Sequence, residues 1–185
     1  MMDVEIREAT DSDLPQILEL AIAAFGETEG PEITELISAL LSDPTAHPLL
    51  SLVAVKEQMV VGHILFTKAQ LEPEPSEPIS ASILAPLAVL PQYQKQGIGG
   101  QLIQTGLEKL KAIGVQLVFV LGHPSYYPRS GFAPAGIQGF EATYPIAPKN
   151  AEAWMVQVLQ PDIIGRIQGR VVCADTLNNP KYWVE

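Results

Sequence analysis

The sequence predicts a mixed α/β fold: six or seven strands in one sheet, flanked by about four helices, in a single domain spanning residues 1–185. Three observations predict it. Residues 79 to 121 read as strand, helix, strand, a unit that closes with a right-handed crossover and a parallel strand pair. Alternating or continuous apolar segments of strand length stand before and after that unit. Hydrophobic residues make up 47% of the chain and charged residues 17%, a balance that builds a core rather than a disordered chain.

"VEIREAT" alternates and reads as the first strand. "DSDLPQILELAIAAF" follows as a helix, capped at Asp11 or Ser12, with Leu14, Ile17, Leu18, Ala21 and Ile22 on one face. Gly26 and Gly30 are expected to break it, and "PEITELISALLSD" to begin a second helix with Pro31 near its start. "LLSLVAVKEQMVVGHILFTKAQL" reads as two strands joined by a tight turn near Glu57–Gln58. "EPEPSEP", residues 72–78, is a proline-and-acid connection that cannot be a helix.

The fourth strand lies in "ISASILAPLAVLP". Pro86 removes a ladder donor, so this strand is irregular there or faces a gap in the sheet. A helix runs from about Gly99 to Ile113, with Leu102, Ile103, Leu107 and Leu110 on one face and Gly114 at a left-handed C-terminal cap. "VQLVFVLG" is apolar almost throughout, as a strand buried on both faces would be. "HPSYYPRSGF" is a short turn or helix. "AWMVQVL" and "GRVVCAD" read as two closing strands, with a hairpin through "QPDIIGRIQ" as their simplest connection.

Bulk composition excludes several functions. The net charge of −10, with no long basic run, argues against nucleic acid as a partner. Cys173 is the single cysteine, so no intrachain disulfide forms, which fits a reducing compartment. "MMDVEIREAT" has neither the cationic start nor the apolar run of a signal peptide, and the longest apolar runs are too short to span a bilayer. The expectation is a soluble cytoplasmic protein with no membrane partner. His47 and His123 lack a metal-ligand spacing, and no metal is expected. His63 reads as a core or edge histidine, and Trp154, Tyr182 and Trp183 as packing aromatics.

The chemistry gathers in "LAVLPQYQKQGIGGQLI", residues 87–103. A helix start offers unpaired N–H groups and the positive end of the helix dipole, which together suit a phosphate. Glycine removes the side chains that would keep a phosphate oxygen away. Gly97, Gly99 and Gly100 crowd this turn. Neither a Walker A loop nor a dinucleotide fingerprint fits, because Leu102 stands where the latter needs its third glycine. On the glycines alone, a turn without a ligand is as good a reading.

Gln94-Lys95-Gln96-Gly97-Ile98-Gly99, after Val89-Leu90-Pro91, matches [Q/R]-x-x-G-x-[G/A], and Tyr127, Gly131 and Phe132 match Tyr-x-x-x-Gly-Phe. With the order of elements over nearly the whole chain, this resembles the GNAT acetyltransferase superfamily, and within it a bacterial group of predicted N-acetyltransferases. The resemblance implies acetyl-coenzyme A as co-substrate and a primary amine as acceptor, joined by direct attack without a covalent enzyme intermediate. It implies that Leu87, Ala88 and Val89 pair with the pantetheine amides across a splay in the sheet. It implies that backbone N–H groups of Gln94, Lys95, Gln96, Gly97, Ile98, Gly99 and Gly100 hold the pyrophosphate, with the Lys95 side chain either adding charge or simply solvated.

An N–H near Val89 would serve the oxyanion. Tyr127 would return a proton to the leaving thiolate, since a phenol of pKa about 10 suits a thiol of about 8.5. Pro128 shortens that element, so Tyr126 stays open as the acid. No acid stands in "ISASILAPLAV", where many family members place a base. Glu27, Glu29 and Glu32 lie in the region that lines the family's acceptor site, yet each reads first as a solvated loop acid; a water chain is the other candidate. The alternative function is a non-catalytic acyl-coenzyme A binding or sensing module. The acceptor and the acyl length stay open, and pairing of outer strands or of the C-terminal segment offers a route to a homodimer.

Overall fold

The structure, a computed structural model, describes residues 4–161, 163 and 165–184. Its framework is one mixed sheet. Strands β1 (Glu5–Glu8), β2 (Leu50–Lys56), β3 (Met59–Glu72) and β4 (Ala81–Val89) form an antiparallel run, and β5 (Leu117–Leu121) joins β4 in parallel. Beyond β5 lie β8 (Trp154–Val158) and the two-residue β6 (Ala133–Pro134). The β2–β3 turn is the tight one expected: Glu57 and Gln58 both have positive φ, 50° and 66°, the twist that a two-residue hairpin requires.

The closing strands do not form a hairpin. β8 pairs with β5, whereas β9 (Gly169–Cys173) pairs with Ala69–Glu72 of β3 and, in parallel, with β7 (Phe140–Glu141). The fourteen residues of β3 outlast β2, whose pairing ends at Phe66, and the freed edge beyond it takes β9. Neither β6 nor β7 carries a readable local signal, because two residues show no period.

Helix α1 (Leu14–Ser42) covers one face and α2 (Ile98–Ala112) the other. Alternation along the strands sorts the side chains. Leu52, Ile64 and Phe66 meet Leu102 and Ile103 of α2, while Val53 meets Leu20 and Ile37 of α1. The break expected in α1 occurs only at Gly26 (φ 88°, ψ 175°). Gly30 has another role: a Cβ there would lie 2.8 Å from the Cα of Ile22, so it lets the two segments touch at the kink. Arg7 ties β1 to the start of α1 through a fork on Asp13 at 2.7 and 2.9 Å, and Asp13 also accepts from the Thr10 amide. Helix α2 ends as expected: Gly114 has φ 94°, and Val115 N–H donates to Leu110 while Gly114 N–H donates to Lys111, a Schellman cap.

His63 is a core residue, 1% exposed, with Nε2 2.9 Å from Ser51 Oγ. Burial pushes its pKa down to about 4. In the unfolded chain it titrates near 6.5, so unfolding takes up a proton between these values and stability must fall as pH falls through that window. The full window is worth roughly 3 kcal/mol. Urea unfolding at pH 4.5 and 7 should show this slope, and His63→Gln should flatten it.

Candidate active site

The parallel pairing of β4 with β5 runs only from Ala81↔Leu117 to Ile83↔Phe119. Pro86 lies just beyond, opposite a bulge where Leu65 of β3 faces Ala85 and Pro86 together. The two strands part there while each keeps its other neighbour, β3 for β4 and β8 for β5. Between them opens a cleft of about 500 Å³, walled by Leu84–Leu87 on one side and Val120–His123 on the other. Another hollow, about 610 Å³, lies at the opposite end of α2 beside Lys109 and Ile113, away from the glycine turn.

Leu87, Ala88 and Val89 pair on one edge with Ile64, His63 and Gly62. Leu90 N–H donates to Val61, and peptide directions alternate along a strand, so the Val89 amide turns toward the parted side. The carbonyl of Val89 turns the same way and accepts from Gln94 Nε2 at 3.0 Å. That contact folds the glycine turn back onto the end of β4.

After a 3-10 turn at Pro91–Tyr93, Lys95 (φ 62°) and Gly97 (φ 89°) both take the left-handed region and curl the chain into the start of α2. No side chain caps this helix. Its first amides, Ile98, Gly99 and Gly100, have no carbonyl one turn earlier to bond. Gln94 to Gly97 and Gly100 are exposed, and a Cβ built on Gly97 or Gly100 would meet nothing within 4 Å. An uncapped helix N-terminus with no side chain at Gly97 or Gly100 suits a diphosphate. Gly99 differs from its neighbours: a Cβ there would run into the Tyr126 hydroxyl, so this glycine makes room for a protein ring. Gln96 donates to the Gln92 carbonyl at 3.2 Å, and the side chain of Lys95 is exposed.

The two tyrosines part company. Tyr127 opens the short 3-10 helix Tyr127–Ser130, which Gly131 ends at φ 100°, and its side chain lines the cleft. Its ring lies on Gly122, where any Cβ would collide with it, and meets Phe132 edge-on at 5.9 Å. Tyr126 points instead at Gly99 and packs edge-on against Tyr127 at 5.1 Å. Burial raises the Tyr126 pKa, and Arg129, 5.9 Å from its ring, opposes that shift. Of the three acids in the α1 region, Glu29 lines the cleft. So does His123, for which the sequence suggests no catalytic role.

Trp154 and Trp183 are packing residues, buried with their indole N–H groups bonded to the carbonyls of Phe140 and Leu177. Tyr182 packs on the same core as expected, and, half-buried, it also forms part of the cleft wall. No local pattern marks it, because it arrives from the far end of the chain.

Comparison with known proteins agrees with this geometry. Residues 5–135 match the acetyltransferase (GNAT) domain family. The uncharacterized N-acetyltransferase YjhQ of Escherichia coli K12 is 47% identical over 165 residues, 89% of this chain and 88% of that protein. The crystal structure of the E. coli GNAT family N-acetyltransferase YhbS in complex with CoA superposes with a TM-score of 0.83 at 27% identity, covering 97% of this chain and 94% of that one. A GNAT family acetyltransferase from Brucella melitensis, in complex with acetyl-CoA, gives 0.73 at 28% identity over 95% and 99%. With parted strands, an uncapped glycine turn and a family match over most of its length, this chain belongs to the GNAT acetyltransferases.

Proposed function

We propose that the protein transfers an acetyl group from acetyl-coenzyme A to a primary amine, with Tyr127 as general acid. One observation carries this reading: the bare first turn of α2 and the cleft beside Tyr127 lie at the two ends of the unpaired edge of β4. The amides of Gln94 through Gly100 would hold the diphosphate, and the edge at Leu87, Ala88 and Val89 would pair with the pantetheine arm. The Val89 N–H, on the parted side, would donate to the oxyanion formed when the amine attacks the thioester carbon. As the C–S bond breaks, the Tyr127 hydroxyl protonates the departing thiolate. The proton lost by the amine leaves through Glu29, His123 or water.

The neighbours solved with CoA and acetyl-CoA support the choice of co-substrate. Among the described residues, no helix is long and apolar enough to cross a membrane. We place the reaction in the cytoplasm, in line with the lone buried thiol of Cys173.

Free-thiol release, followed with acetyl-coenzyme A and a panel of amines, tests the reading. Turnover with at least one amine is expected, together with coenzyme A binding that is competitive with acetyl-coenzyme A. Binding without turnover for every amine would instead make the chain an acyl-coenzyme A sensing module.

A further inference from the structure

The cleft is lined by more than the parted strands. Phe25, Glu29 and Ile33 of α1 contribute one wall, and Leu177, Tyr182 and Trp183 contribute another. The second wall belongs to a C-terminal segment beyond the stretch that matches the family, which ends at residue 135. Among the described residues that line the cleft, Glu29 carries the single carboxylate, and no lysine or arginine lines it.

The C-terminal wall is anchored at several points. Asp43, at the end of α1, accepts from the Thr176 amide at 3.0 Å and its hydroxyl at 2.7 Å. Its other oxygen accepts from Thr45, whose hydroxyl in turn accepts from the Asp175 amide at 2.8 Å. These hydrogen bonds, those from Thr45 foremost, hold the Asp43 carboxyl well below the usual carboxylate range, although its burial opposes them. Trp183 then packs edge-on against Trp154 at 5.6 Å, and Trp154 stacks on Phe119 of β5 at 5.4 Å. The wall is therefore tied both to α1 and to the strand that borders the splay. Tyr182 stands between these anchors with its ring half-buried at the cleft.

An acceptor must match these surfaces. One exposed carboxylate, beside aliphatic and aromatic side chains, suits an ammonium group carried on an apolar body. Sugar hydroxyls would meet few polar partners among those side chains. A protein lysine arrives on a polar backbone that meets the same obstacle, and the net charge of −10 favours a cation in either case. We propose that the acceptor is a small primary amine on an aryl or alkyl body, seated between Glu29 and the C-terminal wall, with Tyr182 as its specificity-determining contact and Asp43 as the residue that positions that wall.

This proposal rests on the acetyl-transfer reading, and its test separates the two. Phenethylamine, kanamycin and a lysine-containing peptide are compared as acceptors by thiol release, with coenzyme A affinity measured in parallel. Phenethylamine should exceed the other two in kcat/KM by about tenfold or more. Tyr182→Ala should raise its KM by about tenfold while kcat and the coenzyme A Kd hold, and Tyr182→Phe should restore KM. Asp43→Asn should move KM in the same direction, again without weakening coenzyme A. Preference for kanamycin or the peptide, an unmoved KM in Tyr182→Ala, or no transfer to phenethylamine by a protein that binds coenzyme A would each overturn the proposal. Failure of the unmodified protein to bind coenzyme A would overturn the acetyl-transfer reading beneath it.

Discussion

Tyr127→Phe is expected to lower kcat by about 10²–10³-fold, the usual loss when a positioned proton donor is removed. Coenzyme A affinity should stay within about twofold, because the diphosphate turn is made of other residues. The substitution removes one oxygen and leaves the ring against Gly122 and Phe132. Stopped-flow thiol release and calorimetric titration of coenzyme A measure the two quantities separately. Tyr126→Phe is the internal control. Its hydroxyl lies over Gly99, and burial raises its pKa, so its loss should leave turnover within a few-fold. If the two variants exchange behaviour, Tyr126 is the acid. If neither slows turnover, protonation of the thiolate does not run through a phenol.

Gly100→Glu should weaken coenzyme A binding by about 100-fold, equivalent to about 2.7 kcal/mol. The site is exposed and a Cβ there meets nothing, so the folded chain accepts the new side chain. A glutamate in the first turn of a helix even complements the dipole slightly. Against a diphosphate the same charge is repulsive. A like pair about 4 Å apart costs roughly 1–4 kcal/mol between the water and protein-surface limits, which brackets the expected loss. The thermal midpoint should therefore hold or rise slightly while the Kd rises. Neighbouring glycines give less clean tests. An alanine at Gly97 would sit at φ 89°, and one at Gly99 would meet the Tyr126 hydroxyl, so each mixes a folding defect with a binding one. Unchanged affinity in Gly100→Glu would remove the glycine turn from the coenzyme A site.

Elements whose cause is local were legible in the sequence. The β2–β3 turn follows from a short polar break between two apolar runs, and the end of α2 from Gly114 after a run of helical period. The irregularity of β4 follows from a proline that cannot donate to a ladder. Even the parting of β4 from β5 was expected, because Pro86 and the family resemblance pointed to the same place. Gly30 was misread for an instructive reason. A glycine beside a proline looks like punctuation, yet here it is a contact surface, and the residue that shapes it, Ile22, lies eight positions away on the other segment of the kinked helix.

The chain on its own determined the α/β class, the identity of the crossover unit and the position of a glycine-rich turn at a helix start, since each depends on residues within about one turn or one strand of one another. Tertiary structure alone decided that β9 pairs with the far end of β3 rather than with β8, and that Tyr182 lines the same cleft as Glu29. The β3–β9 pairing joins segments about a hundred residues apart, and the cleft walls join segments farther apart still. Which of several equally apolar edges pairs, and which aromatic faces an opening, depends on how the whole core closes, and no local period or spacing carries that information.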